Sequence, residues 1–399
     1  MLKNICRINT NINKDSFVGL KKQKNKFIIN FPIGYRLGKN DDELRNDIIL
    51  LLKTLENNTK NKKSDKNYYI DENLSDSFPI SSYIYIMKDY IYNGYYKETK
   101  NKYLIGKNGK IYWNKTIKQI TPIFQNNNAI YDKFIIKKNT YFEDNLITYI
   151  HQYCVYKSFK LFGWIYGNFI PQKPKLKYNK DIFIKTIQKK EYTNFNDKNK
   201  LLFYHMKKII NNIDNNNLNN TNITFGTNRF EYIWENMIDN IFGINNKKDY
   251  FPKTYWIIKN IDETKNNKKN ANLTPDSIMI INDTIYIIDA KYYKYGQTQN
   301  IHDLPNTSSI SKQIIYGEYI SKIEPQKKIY NVFLLPFNSN LYKTKNFYLF
   351  GTAYSEWKKN NMSYEQIKGV LVDTKYIMEI AEKHNKEKYK LELSMVINN

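Results

Sequence analysis

A mixed α/β fold spread over several modules is predicted for this chain by three observations. Its 399 residues leave room for two or three domains. Two polar runs, the lysine-rich Asn57 to Asn67 and the asparagine-rich Asn211 to Asn222, divide it into modules at 1–70, 75–212 and 223–399. In the last module, amphipathic helical patterns alternate with β-branched and aromatic runs, as in a mixed sheet flanked by helices. Hydrophobic content of 41% and aromatic content of 16% supply a packed core.

The first module reads as a small α+β unit. Phe27 to Phe31 is a strand and Pro32-Ile33-Gly34 a turn. Asp41-Asp42-Glu43-Leu44 opens a helix whose apolar side runs through Ile48, Leu51, Leu52 and Leu55, and the acids suit the positive end of its dipole. The middle module has a helix over Tyr83 to Tyr95, a β-rich part around Tyr103 to Phe142 and a longer helix over Glu143 to Phe162. A loop over Pro171 to Asn179 and a helix over Asp197 to Asn212 complete it. No internal repeat is visible.

The third module is predicted as helix (Phe230–Ile241), strand (near Met279), strand (Thr284–Lys291), helix (Ser309–Ile323), strand (Ile329–Leu335), strand (Asn346–Gly351), helix (Ser363–Ile367) and a last strand at Val370. Asn282-Asp283 breaks two apolar runs, so the first two strands form a hairpin. Asp276 starts the first of them. Asp289 and Lys291 end the second and share one face, because side chains alternate along a strand. The hairpin returns Asp289 to the neighbourhood of Asp276. Ile285 and Ile287 lie below Asp289 on the same face, so the charged pair ends an otherwise buried strand.

Two carboxylates and a lysine at this spacing match the needs of metal-dependent phosphodiester hydrolysis. A hard cation takes oxygen ligands and keeps several waters. It activates the attacking water, and a lysine orients that water or stabilises the charge that develops on phosphorus. Asp-x-Lys or Glu-x-Lys is also common in a lysine-rich chain: Glu98-Thr99-Lys100, Glu263-Thr264-Lys265 and Asp373-Thr374-Lys375 are decoys. None has a Pro-Asp strand start one hairpin upstream.

Neighbouring segments add candidates. Phe230, Ile233, Trp234, Met237, Ile238 and Ile241 form the apolar face of a helix on which Glu231 and Glu235 lie one turn apart. Either glutamate could add a carboxylate to the site; a solvated helix face is the ordinary alternative. Lys312 and Gln313, at the start of the next helix, could contact a phosphate or the attacking water, although both are common surface helix formers. Lys294, among Tyr292, Tyr293 and Tyr295, could track a nucleic-acid backbone or belong to an ordinary surface loop.

The formal charge is +25, from 63 basic and 38 acidic residues. Codons of an AT-rich genome inflate lysine but permit acids too, so the surplus still points to a polyanionic partner. No run of about 18 apolar residues could span a bilayer. The first residues, Met1 to Arg7, lack the apolar region of a signal peptide. Cys6 and Cys154 are the only cysteines, which fits a reducing compartment. A soluble cytoplasmic protein is the expectation. His151 and Cys154, three apart on a helix, read as a buried polar neighbour and a small hydrophobe rather than half a zinc site, which wants four ligands.

Phe230-Glu231-Tyr232-Ile233-Trp234-Glu235-Asn236-Met237, Thr274-Pro275-Asp276, Tyr286-Ile287-Ile288-Asp289-Ala290-Lys291 and Ile310-Ser311-Lys312-Gln313-Ile314-Ile315-Tyr316 together resemble the PD-(D/E)XK nuclease core. In detail they resemble the LlaJI-type restriction endonucleases and their McrC-like relatives. Phe31-Pro32-Ile33-Gly34-Tyr35, Asn108 to Ile117, Asn145 to Val155 and Phe162-Gly163-Trp164 extend the likeness over most of the chain. Lys115 departs from it, standing where an arginine is expected; a lysine is a poorer bidentate clamp.

The resemblance implies a Mg²⁺- or Mn²⁺-dependent DNA endonuclease of a restriction system, acting on double-stranded DNA with a separate McrB-like AAA+ NTPase. Asp276, Asp289, the Ala290 carbonyl and Glu235, with Glu231, are then expected at the metal. Lys291 is expected to act with Asp276, Asp289 and Glu235 in catalysis, and Lys312, Gln313 and Lys294 on DNA. No nucleotide is expected on this chain: Gly106-Lys107-Asn108-Gly109-Lys110-Ile111 has the wrong glycine spacing for a P-loop, and Ile111 replaces the hydroxyl residue. A homodimer is left open. Two other readings stand beside this one: a self-sufficient restriction enzyme needing no NTPase, and a non-cutting subunit that binds DNA and activates an NTPase.

Overall fold

The computed structural model describes residues 2–10, 16–23, 26–60, 78–125, 128–142, 145–167, 169–213, 223–257, 267–269, 273–342, 344–359 and 361–398. These form two compact units. One joins residues 1–77 to 221–399, and the other is 78–220. The sequence reading treats 1–70 and 223–399 as separate modules. The structure merges them, because a strand just after the second polar run pairs with the N-terminal strands.

The first unit begins with β1 (Cys6–Ile8), β2 (Val18–Gln23), β3 (Lys26–Phe31) and α1 (Asp41–Lys60). β1 runs parallel to β3, and β3 pairs antiparallel with β2. Leu44, Ile48, Leu51, Leu52 and Leu55 are the buried side of α1. The helix continues past Asn57, where a linker was expected. Asn58 donates to the Thr54 carbonyl at 2.8 Å, and Asn57 donates to Glu382 at 2.7 Å. The rest of the expected linker, 61–67, lies outside the described residues.

The second unit contains α2 (Ile80–Asn93), β4 (Glu98–Gly106), β5 (Lys110–Ile111), α3 (Trp113–Gln119), β6 (Ile123–Gln125), β7 (Asn128–Ile130), β8 (Phe134–Phe142), α4 (Leu146–Phe162), α5 (Lys180–Thr193) and α6 (Asp197–Ile213). The sequence reading misses α5, which Asn179 opens by accepting a hydrogen bond from the Ile182 N–H at 3.0 Å. β4, β8 and β5 form an antiparallel sheet. Gly106 to Ile111 therefore spans a strand end, a turn and a strand, not the strand–loop–helix of a P-loop. The Lys115 ammonium sits 3.8 Å from the centre of the Tyr103 ring, a cation–π contact. His151 is fully buried, and its Nδ1 accepts from the Tyr96 N–H at 2.9 Å.

Returning to the first unit, β9 (Ile223–Thr227) pairs antiparallel with β2 and completes the sheet β1-β3-β2-β9. Next come α7 (Phe230–Phe242), the paired β10 (Tyr255–Ile257) and β11 (Asn267–Lys269), β12 (Ser277–Ile281), β13 (Thr284–Ala290), α8 (Tyr295–Thr298) and α9 (Thr307–Ile323). β14 (Lys328–Phe337), α10 (Ser339–Tyr342), β15 (Phe347–Ala353), β16 (Ile367–Asp373), α11 (Thr374–Ala381) and α12 (Glu387–Asn398) complete it. Five strands form a mixed sheet in the order β12-β13-β14-β16-β15. β13, β14 and β16 are parallel, and β12 and β15 are antiparallel at its edges.

α9 covers one face: Tyr316 and Ile320 pack with Ile278, Ile285, Ile287 and Ile329, and Ile314 packs with Phe333, Leu335 and Phe337. The helix expected at Ser363–Ile367 is a single 3₁₀ turn, Ser363–Glu365. Ile367 already belongs to β16 because its side chain is needed in the sheet core. The reading also omits α11 and α12.

The Phe31-to-Tyr35 segment docks on this sheet. Gly34 has φ +72°, and a Cβ there would lie 2.7 Å from the Phe337 nitrogen. Only glycine combines that backbone with that approach.

Candidate active site at the open end of the hairpin

The β12–β13 hairpin turns at Asn282-Asp283, with Asn282 at φ 49°, in the left-handed region that asparagine tolerates. Its open end holds Asp276, one residue before β12, and Asp289 and Ala290, the last residues of β13. The Ala290 N–H donates to Asp276 Oδ2 at 2.8 Å, which locks the two strand ends together. Lys291 follows directly, and its N–H extends the parallel ladder by donating to the Leu334 carbonyl at 2.9 Å. Its ammonium meets Asp289 Oδ1 at 2.9 Å. Asp289 is 7% exposed, so this pair works in a partly desolvated setting where charge interactions are strong.

The electrostatics show an excess of negative charge. Burial, then the charge of Asp289 and a hydrogen bond with it, then Glu235, push the Asp276 carboxyl well above the usual range, and the Ala290 N–H opposes them. Glu235, half-buried on α7, is pushed up to about 7 by burial and then by Asp289, while Lys291 and Lys312 pull it down. Burial alone would depress the Lys291 ammonium. The Asp289 carboxylate, with Asp276 behind it, outweighs burial and holds the lysine above its ordinary value. Three acids thus act on one another with two lysines as partial compensation.

The other predicted residues are placed as follows. Lys312 faces the site from α9; its ammonium is 5.7 Å from the Tyr316 ring, and its charge acts on Glu235. Glu231, one turn before Glu235, has 42% of its side chain exposed and faces Arg229 at 3.8 Å. Gln313, expected on DNA, lies inside the fold. It is completely buried, and its Nε2 donates to the Ile287 carbonyl at 2.7 Å, two residues before Asp289. Lys294 pairs with Asp303 at 3.7 Å. Neighbouring Tyr292 turns inward: its hydroxyl accepts from the Ile33 N–H at 2.7 Å, and its ring leans on Phe230 and Trp234.

Oxygen donors without histidine or cysteine suit a hard cation such as Mg²⁺ or Mn²⁺. Asp276 and Asp289 offer two side-chain ligands, and the Ala290 carbonyl stands beside them. Among the described residues, no group of three or more histidine, cysteine, aspartate and glutamate side chains could hold a metal ion. Glu235 therefore acts on the aspartate pair through its charge in this conformation. A cation resting on two carboxylates, main-chain oxygen and water is the usual magnesium arrangement.

The family model for the LlaJI restriction endonuclease matches residues 17–371, a span that includes the whole hairpin, α7 and α9. The chain belongs to the LlaJI restriction endonuclease family. Among curated proteins it is similar to the type II restriction enzyme BsuMI component YdjA of Bacillus subtilis (strain 168), at 27% identity over 317 residues. That match covers 73% of this chain and 65% of the relative, so the chain spans less than two thirds of the relative's length. Among solved structures it is similar to a chain in the half-complex from the tetradecameric assembly of Thermococcus gammatolerans McrB AAA+ hexamers with bound McrC. The identity there is 13% and the TM-score 0.34, over 95% of this chain and 82% of that one.

In this LlaJI-family chain the sequence reading misses Tyr316. Its side chain is 1% exposed, and its hydroxyl has no hydrogen-bond partner among the described residues. Burial, then the charges of Asp289 and Asp276, push its phenol up. The i,i+4 spacing from Lys312, which puts both on one side of α9, is the signal that could have found it. The reading also misses Lys247, which touches the Asp276 main chain from an asparagine-lysine loop that carries no pattern.

Proposed function

We propose that this chain is the DNA-cleaving component of a restriction system, a divalent-cation-dependent endonuclease with a PD-(D/E)XK active site. One observation carries the reading. Two acids meet at the open end of a hairpin, and the lysine two residues past the second is ion-paired to it. The excess of basic residues, 63 against 38 acidic, supplies a field that draws in a polyanion such as double-stranded DNA.

Asp276, Asp289 and the Ala290 carbonyl would hold the cation, with Glu235 adding negative charge. Bound there, a divalent cation makes a water nucleophilic at neutral pH and screens phosphate charge. Lys291 contributes a fixed ammonium beside Asp289. It is placed to donate to the attacking water or a phosphate oxygen as water adds to phosphorus and the bond to the sugar oxygen breaks. Lys312, whose charge acts on Glu235, adds a second cation for the phosphate. The chemistry needs a dry, pre-formed donor set, and the Ala290-to-Asp276 hydrogen bond fixes one before DNA arrives.

An AAA+ NTPase partner belongs to the same proposal, resting on the likeness to McrC-like proteins read from the sequence. Gly106 to Ile111 runs from the end of β4 through a turn into β5, so that segment lacks the strand–loop–helix form of a P-loop. The test is plasmid cleavage with Mg²⁺ by wild type, Asp289→Ala and Lys291→Ala, each with and without the NTPase. Loss of about 100-fold or more in rate with retained DNA binding is expected of both variants. Wild-type cleavage by either one would sink the assignment. Cleavage without nucleotide or partner would remove the NTPase from the proposal and leave a self-sufficient enzyme.

A further inference from the structure

Lys247 opens a 3₁₀ turn just after α7. Its ammonium donates to Asp239 Oδ2 at 2.7 Å and to the Asp276 carbonyl at 2.8 Å. Asp239 lies one turn beyond Glu235 on α7. One cation therefore ties the helix that carries Glu235 to the main chain that carries Asp276. A second tie lies nearby: the Ile244 N–H donates to the Ile278 carbonyl at 2.9 Å and fixes the exit of α7 to β12.

The geometry assigns Lys247 as a positioning residue of the cation site, a brace that holds Asp276 and the Glu235 helix in register; the assignment rests on the cleavage reading given above. The carboxylate of Asp276 is set from one side by the Ala290 N–H, and its main chain is set from the other by Lys247. Lys247 is the donor that the Asp276 carbonyl meets, so its loss removes this tie on the main chain at the entrance to β12. Its own charge is satisfied by Asp239, and Asp239 Oδ1 is buried with no hydrogen-bond partner among the described residues. Asp239 is thus held for the lysine alone.

The test is Mn²⁺ binding to the full chain, read as loss of the free-ion signal in electron paramagnetic resonance. Wild type, Lys247→Met, Lys247→Arg and Asp289→Ala are compared, each with a thermal melt to show that it is folded. Lys247→Met is expected to bind Mn²⁺ about tenfold more weakly, the size of effect seen when a group that orients a ligand is lost. Lys247→Arg is expected to regain most of the affinity, because a guanidinium reaches both acceptors. Wild-type affinity in folded Lys247→Met overturns the brace, and so does a loss in Lys247→Arg as large as in Lys247→Met. If Lys247→Met does not fold, Asp239→Asn decides: weaker binding supports the brace, and unchanged binding overturns it. Asp289→Ala separates the two levels. If it loses the site while Lys247→Met keeps it, only the brace falls. If it binds Mn²⁺ like wild type, the site assignment falls and the brace with it.

Discussion

Replacing Gln313 by leucine separates a DNA contact from a structural strut. The residue is completely buried under β13 and donates to the Ile287 carbonyl at 2.7 Å. Leucine fills a similar volume but gives that carbonyl no donor, a loss of about 1–3 kcal/mol. It also removes Gln313 Oε1, which is buried without a partner among the described residues, and that offsets part of the cost. A net destabilisation of about 1–2 kcal/mol remains, and a unit of this size loses about 2–4 °C of Tm per kcal/mol. Gln313→Glu should cost more, about 3 kcal/mol or above, since it sets a buried carboxylate against a carbonyl and near two other acids. The assays are thermal melts and DNA binding at 25 °C over a range of salt. The reasoning requires a lower Tm with unchanged affinity and unchanged salt slope. An unaltered Tm with weakened DNA binding would refute it and return Gln313 to the DNA surface.

Three further outcomes are expected. Burial holds the His151 imidazole down at about 4 against its usual 6.5. The unfolded chain therefore binds this proton first as pH falls, and stability is full above about 6.5 and erodes down to about 4, by roughly 3 kcal/mol in all. Urea unfolding of wild type and His151→Gln at pH 7.5 and 5 should show this erosion in wild type alone, and a parallel response in both would contradict it. Gly34→Ala forces a side chain onto the Phe337 backbone at φ +72°, and should cost about 2–5 kcal/mol in a thermal melt. Asp373→Asn removes a fully buried charge that meets Arg36 and caps α11 through the Tyr376 N–H. It should lower stability by about 2–3 kcal/mol, while cleavage per folded molecule stays at the wild-type rate.

Asp373 also shows what was legible in the sequence and what was not. Asp373-Thr374-Lys375 and Asp289-Ala290-Lys291 share a pattern, and both end apolar strands. In the structure Lys291 turns to Asp289, whereas Lys375 leaves Asp373 and pairs with Asp47 at 2.6 Å. Asp373 itself accepts from the Ser339 N–H and hydroxyl and caps a helix. The Pro-Asp strand start one hairpin upstream is the difference legible between the two, because a hairpin is a local object whose ends must meet. The periods of α7 and α9 were legible for the same reason: one face of each is buried, and burial writes itself into the sequence at a fixed spacing, whereas β13, buried from Ile285 to Ala290, was legible as a run of β-branched and aromatic residues. What escaped depends on partners far along the chain. The joining of β9 to β2, the turn of Tyr292 toward Ile33 and the reach of Lys247 to Asp276 are contacts between segments that share no local pattern. The burial of Gln313 escaped for a related reason, since glutamine looks alike on a wet helix face and under a strand until the strand is in place. The parts of the site that hold oxygen donors were readable because strand geometry positions them. The parts that hold the donors still were not, because tertiary packing alone decides where a lysine or glutamine finds its acceptor.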